Sequence, residues 1–199
     1  MSYSLDGTSC DCYEGTACLI NKYNIKDEQK LSLLEAGITF AKTAELLKQQ
    51  PPKNPDFEYY KSIHYVLFND LYDWAGKLRT IDISKRGTAF CKAENLQEQC
   101  NVLFNYLAQN DYFTNENRSD FAEKITDFYI STNMLHPFRE GNGRTQRVFI
   151  TQLIKNAGYG FSFSDIDTDE LMIATIQSAN GVKDYLRKIF EENIYAIKK

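Results

Sequence analysis

Apolar residues recur at three- and four-residue steps over most of the chain, the period of helices that bury one face. Between residues 27 and 50 they fall at Leu31, Leu34, Ile38, Ala41, Leu46 and Leu47. Asp27 suits the capping position there, and Pro51-Pro52 stops the run. From 56 to 74, Tyr60, Ile63, Leu67, Leu71 and Trp74 share a second helical face, ended by Ala75-Gly76. The same period predicts helices over about 94–110, 119–134, 144–157, 167–179 and 183–197. Ser119 and Asp167 suit their starts, and Gly158 stops the helix before it. One stretch breaks the pattern. Residues 78–84 alternate and are β-branched, Lys85-Arg86-Gly87 reads as a turn, and Thr88-Ala89-Phe90 returns. A hairpin by itself is marginal, so something must support it or use its edge. The expectation is an all-α helical bundle with one short β-hairpin at about 78–90. It forms a single domain over 1–199, with the N-terminal segment 1–26 and the last helix packed on the core.

Composition sharpens this picture. The 199 residues are 43% hydrophobic, 14% aromatic and 25% charged, values that exclude a disordered or fibrous chain. A net charge of −4 argues against a general electrostatic grip on nucleic acid or anionic membrane. No apolar run is long enough to span a bilayer, and the N-terminus lacks the basic start and apolar run of a secretory signal. A cytoplasmic protein is expected. The five cysteines are odd in number, and Cys10, Cys12 and Cys18 match no common zinc spacing, so free thiols are expected.

The chemistry concentrates in His136-Pro137-Phe138-Arg139-Glu140-Gly141-Asn142-Gly143-Arg144-Thr145-Gln146-Arg147, between two apolar helices. Pro137 blocks continuation of the preceding helix. Gly141 and Gly143 permit positive φ and close backbone approach. Amides that open a new helix form an anion-binding nest. Arg144 and Arg147 share a helix face and can reach a polyphosphate. Glu140 can hold a hard cation such as Mg²⁺. His136 is placed to take a proton from an attacking hydroxyl. Together these residues read as a nucleotide-phosphate site with a base beside it.

The segment resembles the signature of the Fic family (filamentation induced by cAMP), His-x-Phe-x-Asp/Glu-Gly-Asn-Gly-Arg-x-x-Arg, at every fixed position. Gly15-Thr16, Leu19, Asn21-Lys22 and residues 72–80 resemble further recurring segments of that family. The resemblance implies a Fic fold and AMP transfer from ATP to a protein hydroxyl, with release of pyrophosphate. It implies His136 as general base and Glu140 as the Mg²⁺ ligand. It also implies an ATP site formed by Asn133, Arg139, Gly141, Asn142, Gly143, Arg144, Thr145, Arg147 and, near adenine, Asn180. The hairpin matches the family's flap, which clamps a target segment by strand addition, here through Ile81, Asp82, Ile83, Ser84 and Lys85. A phosphate-transferring branch tends to carry Lys between the motif's Asn and first Arg. Gly143 stands there, which favours AMP transfer.

Many relatives carry an inhibitory helix with Ser/Thr-x-x-x-Glu-Gly/Asn, whose glutamate pairs with the second motif arginine. Only Ser119…Glu123 has the spacing here, and Lys124 follows; Glu192-Asn193 is preceded by Lys188 at the Ser/Thr position. The resemblance therefore implies a toxin or effector restrained by a separate small antitoxin whose glutamate reaches Arg147. An effector would be delivered into a host cell. The alternatives are a same-fold transferase of phosphate or another nucleotide, and a catalytically silent interaction module. His64, without chemical neighbours in the sequence, reads as a packed or surface histidine, and Trp74 as core. Lys85-Arg86 reads equally as a solvated turn or as a target or ATP contact.

Overall fold

A computed structural model describes residues 4–5, 11–85 and 87–197. Cys10 and Arg86, named above, lie outside the described residues, as do residues 198–199 and other positions of the N-terminal segment. In order the elements are β1 (Ser4–Leu5), α1 (Glu28–Lys48), α2 (Phe57–Phe68), β2 (Ile83–Lys85), β3 (Thr88–Ala89), α3 (Leu96–Gln109), α4 (Arg118–Leu135), α5 (Asn142–Asn156), β4 (Tyr159–Gly160), α6 (Thr168–Ala179), α7 (Asp184–Asn193) and β5 (Tyr195–Ala196). The fold is mostly helical, as the period predicts.

Short polar side chains cap the starts of α1, α2, α4 and α6. Asp27 accepts the amide hydrogens of Gln29 and Lys30, Asp56 that of Tyr59, and Asp167 those of Asp169 and Glu170. At α4 the cap is Asn117, which accepts from Ser119 and Asp120; Ser119, expected at the cap, lies inside the first turn. α5 runs through the middle, packed against α1, α2 and α4. It buries Val148, Phe149, Ile150, Leu153 and Ile154. Rings from four helices and the motif meet there. Phe138 is fully buried, with its ring stacked 5.7 Å from Tyr60 and 3.8 Å from His64. Burial of such a side chain contributes about 2–3 kcal/mol, so the motif loop is anchored into the core by its own phenylalanine.

Three boundaries differ from the periodic pattern. α2 ends at Phe68 rather than near Trp74, because Asn69 and Asp70 turn toward α1 and bind Lys42. Leu71 and Tyr72 stay buried beyond that turn. The last helix ends at Asn193, and β5 pairs antiparallel with β4. The hairpin is shorter than residues 78–90 and is not alone. β2 is the middle strand of three, with β3 on one edge and β1 on the other, in register Ser4 with Ser84 and Leu5 with Ile83. Among the described residues no helix is long and apolar enough to cross a membrane.

Candidate active site

α4 must stop at His136, since the residue before a proline is pushed out of the helical region. His136 takes φ 43 and ψ 58, a left-handed conformation rare for a non-glycine residue. That turn drops the imidazole beside the start of α5. Its Nδ1 lies 2.8 Å from the carbonyl of Asn133, and its ring stacks 3.8 Å from Phe90 of the flap. A carbonyl can only accept, so Nδ1 carries the proton and Nε2 keeps the lone pair of a base. Burial lowers the His136 pKa to about 3; the hydrogen bond to Asn133 opposes this, and Lys85 and Arg79 add to it. The ring is therefore neutral at physiological pH.

The loop is built around Gly141. Its φ is 78, and a Cβ there would lie 2.2 Å from the Phe68 ring, so only glycine fits. Asn142 clamps the bend, accepting from the Phe138 amide at 2.8 Å and donating to the Phe138 carbonyl at 2.7 Å. Thr145 donates back to the Gly141 carbonyl at 3.1 Å. The first amides of α5 have no helical carbonyl to bind and face an anion site by default. A cavity of about 490 Å³ opens over them, reached by His136, Glu140, Gly141, Gly143, Arg144 and Arg147. Its opposite wall comes from α6, through Leu171, Met172, Thr175, Ile176 and Ala179. A base, a carboxylate, two arginines and open amides thus face a half-apolar slot large enough for a nucleotide.

The Fic/DOC family profile matches residues 54–154 of this chain. The chain is 37% identical over 171 residues to "Probable protein adenylyltransferase y4lH" of Sinorhizobium fredii, covering 85% of this chain and 88% of that protein. It is 31% identical over 180 residues to "Probable protein adenylyltransferase Fic" of Escherichia coli, covering 90% and 89%. The chain belongs to the Fic/DOC family. Its fold matches the crystal structure of the BepC protein, a VirB-translocated Bartonella effector protein with bound AMPPNP from Bartonella tribocorum. That match has a TM-score of 0.89 at 27% identity and covers 94% of this chain and 97% of that one.

Not every residue assigned from the Fic motif reaches the cavity. Asn133 lines it. Arg139 turns the other way: buried, it pairs with Asp11 at 3.2 Å and ties the N-terminal segment to the loop. The Asn142 and Thr145 side chains are spent on the loop itself. Gly143 lies inside α5 without positive φ, and a Cβ there would make only ordinary contact, 3.5 Å from Arg147. Its contribution is space above the loop. Asn180 caps α6, donates to Ile176 and is exposed outside the cavity lining. In the flap, Lys85 lines the cavity. Ile83 is buried, Asp82 accepts the Ala93 amide at 2.7 Å, the Ile81 carbonyl accepts from Arg79, and Ser84 sits in the middle strand.

Two supports escaped the sequence reading. Arg79, 4% exposed, donates to the carbonyls of His136, Ile81 and Cys91, and its amide binds the Pro137 carbonyl at 2.9 Å. It joins the base of the hairpin to the bend at 136–138. His64 is fully buried; its Nδ1 accepts the Gly76 amide at 2.8 Å, so Nε2 donates to the Glu140 carbonyl at 3.0 Å. Burial lowers its pKa to about 3, with the Glu140 bond opposing and Arg144 adding. Its position under the motif was invisible because α2 meets the loop only in three dimensions. The α6 wall was legible only as a three- and four-residue period.

Glu140 is tested as a cation ligand by its surroundings. One oxygen accepts the Gly141 amide at 2.9 Å, and the side chain is 25% exposed toward the cavity. Among the described residues no group of three or more His, Cys, Asp or Glu side chains could hold a metal. A carboxylate beside an anion nest fits Mg²⁺, which binds one or two carboxylates together with substrate phosphates.

Proposed function

We propose that this chain is a protein adenylyltransferase that uses His136 and the bend 136–147 to move AMP from ATP to a hydroxyl of a target protein. The observation that carries the residue roles is the tautomer of His136: Nδ1 bound to Asn133, Nε2 left basic, beside the open amides of α5. On this reading the α-phosphate lies over Gly141 and the following amides, and the nucleoside lies against the apolar wall of α6. Nε2 removes the proton of the incoming hydroxyl as its oxygen attacks the α-phosphorus and pyrophosphate departs. Arg147 has no ion pair among the described residues and takes the outer phosphate. Bound at Glu140, Mg²⁺ would neutralise phosphate charge. Catalysis then rests mainly on positioning and charge neutralisation, with the base contributing about 10²–10⁴-fold.

Regulation by a separate helical antitoxin is supported by a groove of about 660 Å³ between α1 and α5. Phe40, Ala44, Leu47 and Val148 give it an apolar floor, and Arg144 and Arg147 close one end. An amphipathic helix ending in a glutamate complements that shape and charge. No carboxylate of α7 pairs with Arg147 among the described residues.

Incubation with ATP, Mg²⁺ and a cell lysate is expected to add one AMP mass to a target, read by mass spectrometry. His136→Ala should abolish the addition while leaving the protein folded. A phosphate-sized increment would favour the other phosphorus chemistry, and an undiminished AMP signal in His136→Ala would remove that residue from its role.

A further inference from the structure

Glu35 lies on α1, far in sequence from the motif, and the mechanism above gives it no part. Its carboxylate is only 12% exposed and doubly engaged. It accepts the Tyr72 hydroxyl at 2.5 Å and pairs with Arg144 Nη2 at 2.6 Å. Thr39, one turn along α1, accepts from Nη1 of the same guanidinium at 3.3 Å. The Arg144 guanidinium also lies 4.8 Å from the centre of the Phe68 ring. Arg144 is thus held from α1 and α2 together.

A second carboxylate stands near. Glu140, in the bend four residues before Arg144, lies 3.8 Å from Nη2, within ion-pair reach but beyond hydrogen-bond distance. An arginine fork that closed on Glu140 would form a charge-assisted pair with the carboxylate a divalent cation needs. Two carboxylates therefore compete for one guanidinium, and the shorter contact belongs to Glu35.

We propose that Glu35 is a positioning residue: by engaging Arg144 it keeps that guanidinium off Glu140 and leaves Glu140 open to the divalent cation. The proposal rests on the reading that Glu140 binds Mg²⁺ together with ATP. Tyr72 completes the device by fixing the Glu35 carboxylate. Loss of Glu35 therefore weakens metal-assisted nucleotide binding and does not relieve a brake.

The test is calorimetric and needs no turnover. ATP is titrated into the full chain with and without Mg²⁺, and the gain in affinity from the metal is the readout. Wild type should show a gain, which Glu140→Gln removes. Glu35→Gln should reduce the gain roughly tenfold or more, the usual loss when a ligand's outer support is removed. Combining Glu35→Gln with Arg144→Met should restore the gain, even if ATP binds more weakly overall, because no guanidinium is left to close on Glu140. Where Glu35→Gln does not fold, Tyr72→Phe removes the support of Glu35 and keeps its charge; a smaller gain is expected there, and an unchanged one overturns the proposal. An unaltered gain in folded Glu35→Gln, or no recovery in the double variant, overturns the Glu35 proposal alone. Absence of any gain in wild type overturns the Glu140 reading and the proposal with it.

Discussion

The two glycines of the motif are unequal, although the sequence writes them alike. Gly141 combines a positive φ with a Cβ position inside the Phe68 ring. Gly141→Ala should cost about 3 kcal/mol or more, from left-handed strain plus overpacking, and should abolish nucleotide binding. Gly143→Ala should leave the unfolding free energy unchanged or raise it by up to about 1 kcal/mol, because the residue is already helical and alanine is the better helix former. Denaturant unfolding of both variants checks the contrast, and equal losses would contradict it. The buried histidines make a second prediction at this scale. His64 and His136 both have pKa values lowered to about 3 by burial, against an ordinary value near 6.5. Between those values the unfolded chain binds the extra protons. Stability is therefore fully present above about pH 6.5 and falls as pH drops toward 3, by at most about 1.4 kcal/mol per pH unit for each ring. Unfolding measured at pH 7 and pH 5 should show the loss, and His64→Gln should flatten the dependence.

At the scale of elements, the flap shows how far local pattern carries and where it stops. Alternation and the Lys85-Arg86-Gly87 turn reveal β2 and β3, since both signals lie within a dozen residues. β1 was not legible: two residues near the N-terminus have no period, and their pairing with β2 crosses almost eighty positions. The same holds for the site. The motif fixes the end of α4, the bend and the start of α5, because proline, glycine and capping chemistry act locally. Glu35, His64, Arg79 and Asp11 reach the bend from remote segments, and nothing at their own positions announces it. Arg139 shows the converse: it stands inside the motif, yet its side chain turns to Asp11, and adjacency in sequence does not say which way a side chain turns. The β1 pairing has a functional consequence. A target segment that joins β2 by strand addition meets β1 on the edge opposite β3. Removing residues 1–6 is therefore expected to lower the KM for the protein target with kcat little changed. Steady-state kinetics on an identified target checks this, and a raised KM would mean that β1 supports the flap rather than competing for its edge.

At the scale of the molecule, α1 does two jobs on two faces. One face buries Leu31, Thr39 and Leu46 and presents Glu35 to Arg144; the other leaves Leu33 76% and Phe40 78% exposed. A helix whose apolar residues point both ways has a weak amphipathic signal, and an exposed phenylalanine beside a groove marks a surface built to be covered. The groove runs from Leu47 to Arg147, joining an apolar floor to a cation that has no ion pair among the described residues. A helical inhibitor bearing Ser/Thr-x-x-x-Glu-Gly gains hydrophobic burial along α1 and a charge pair at Arg147 where ATP would place its outer phosphate. Occupation of the groove and productive ATP binding are then mutually exclusive. A synthetic helix of that pattern should inhibit AMP transfer competitively with ATP. Phe40→Asp should raise the inhibition constant roughly tenfold, the effect of losing one well-packed aromatic anchor, while leaving the uninhibited rate unchanged because Phe40 is outside the catalytic cavity. Inhibition that is indifferent to Phe40→Asp would place the inhibitor elsewhere. Inhibition that is indifferent to ATP concentration would separate its glutamate from Arg147.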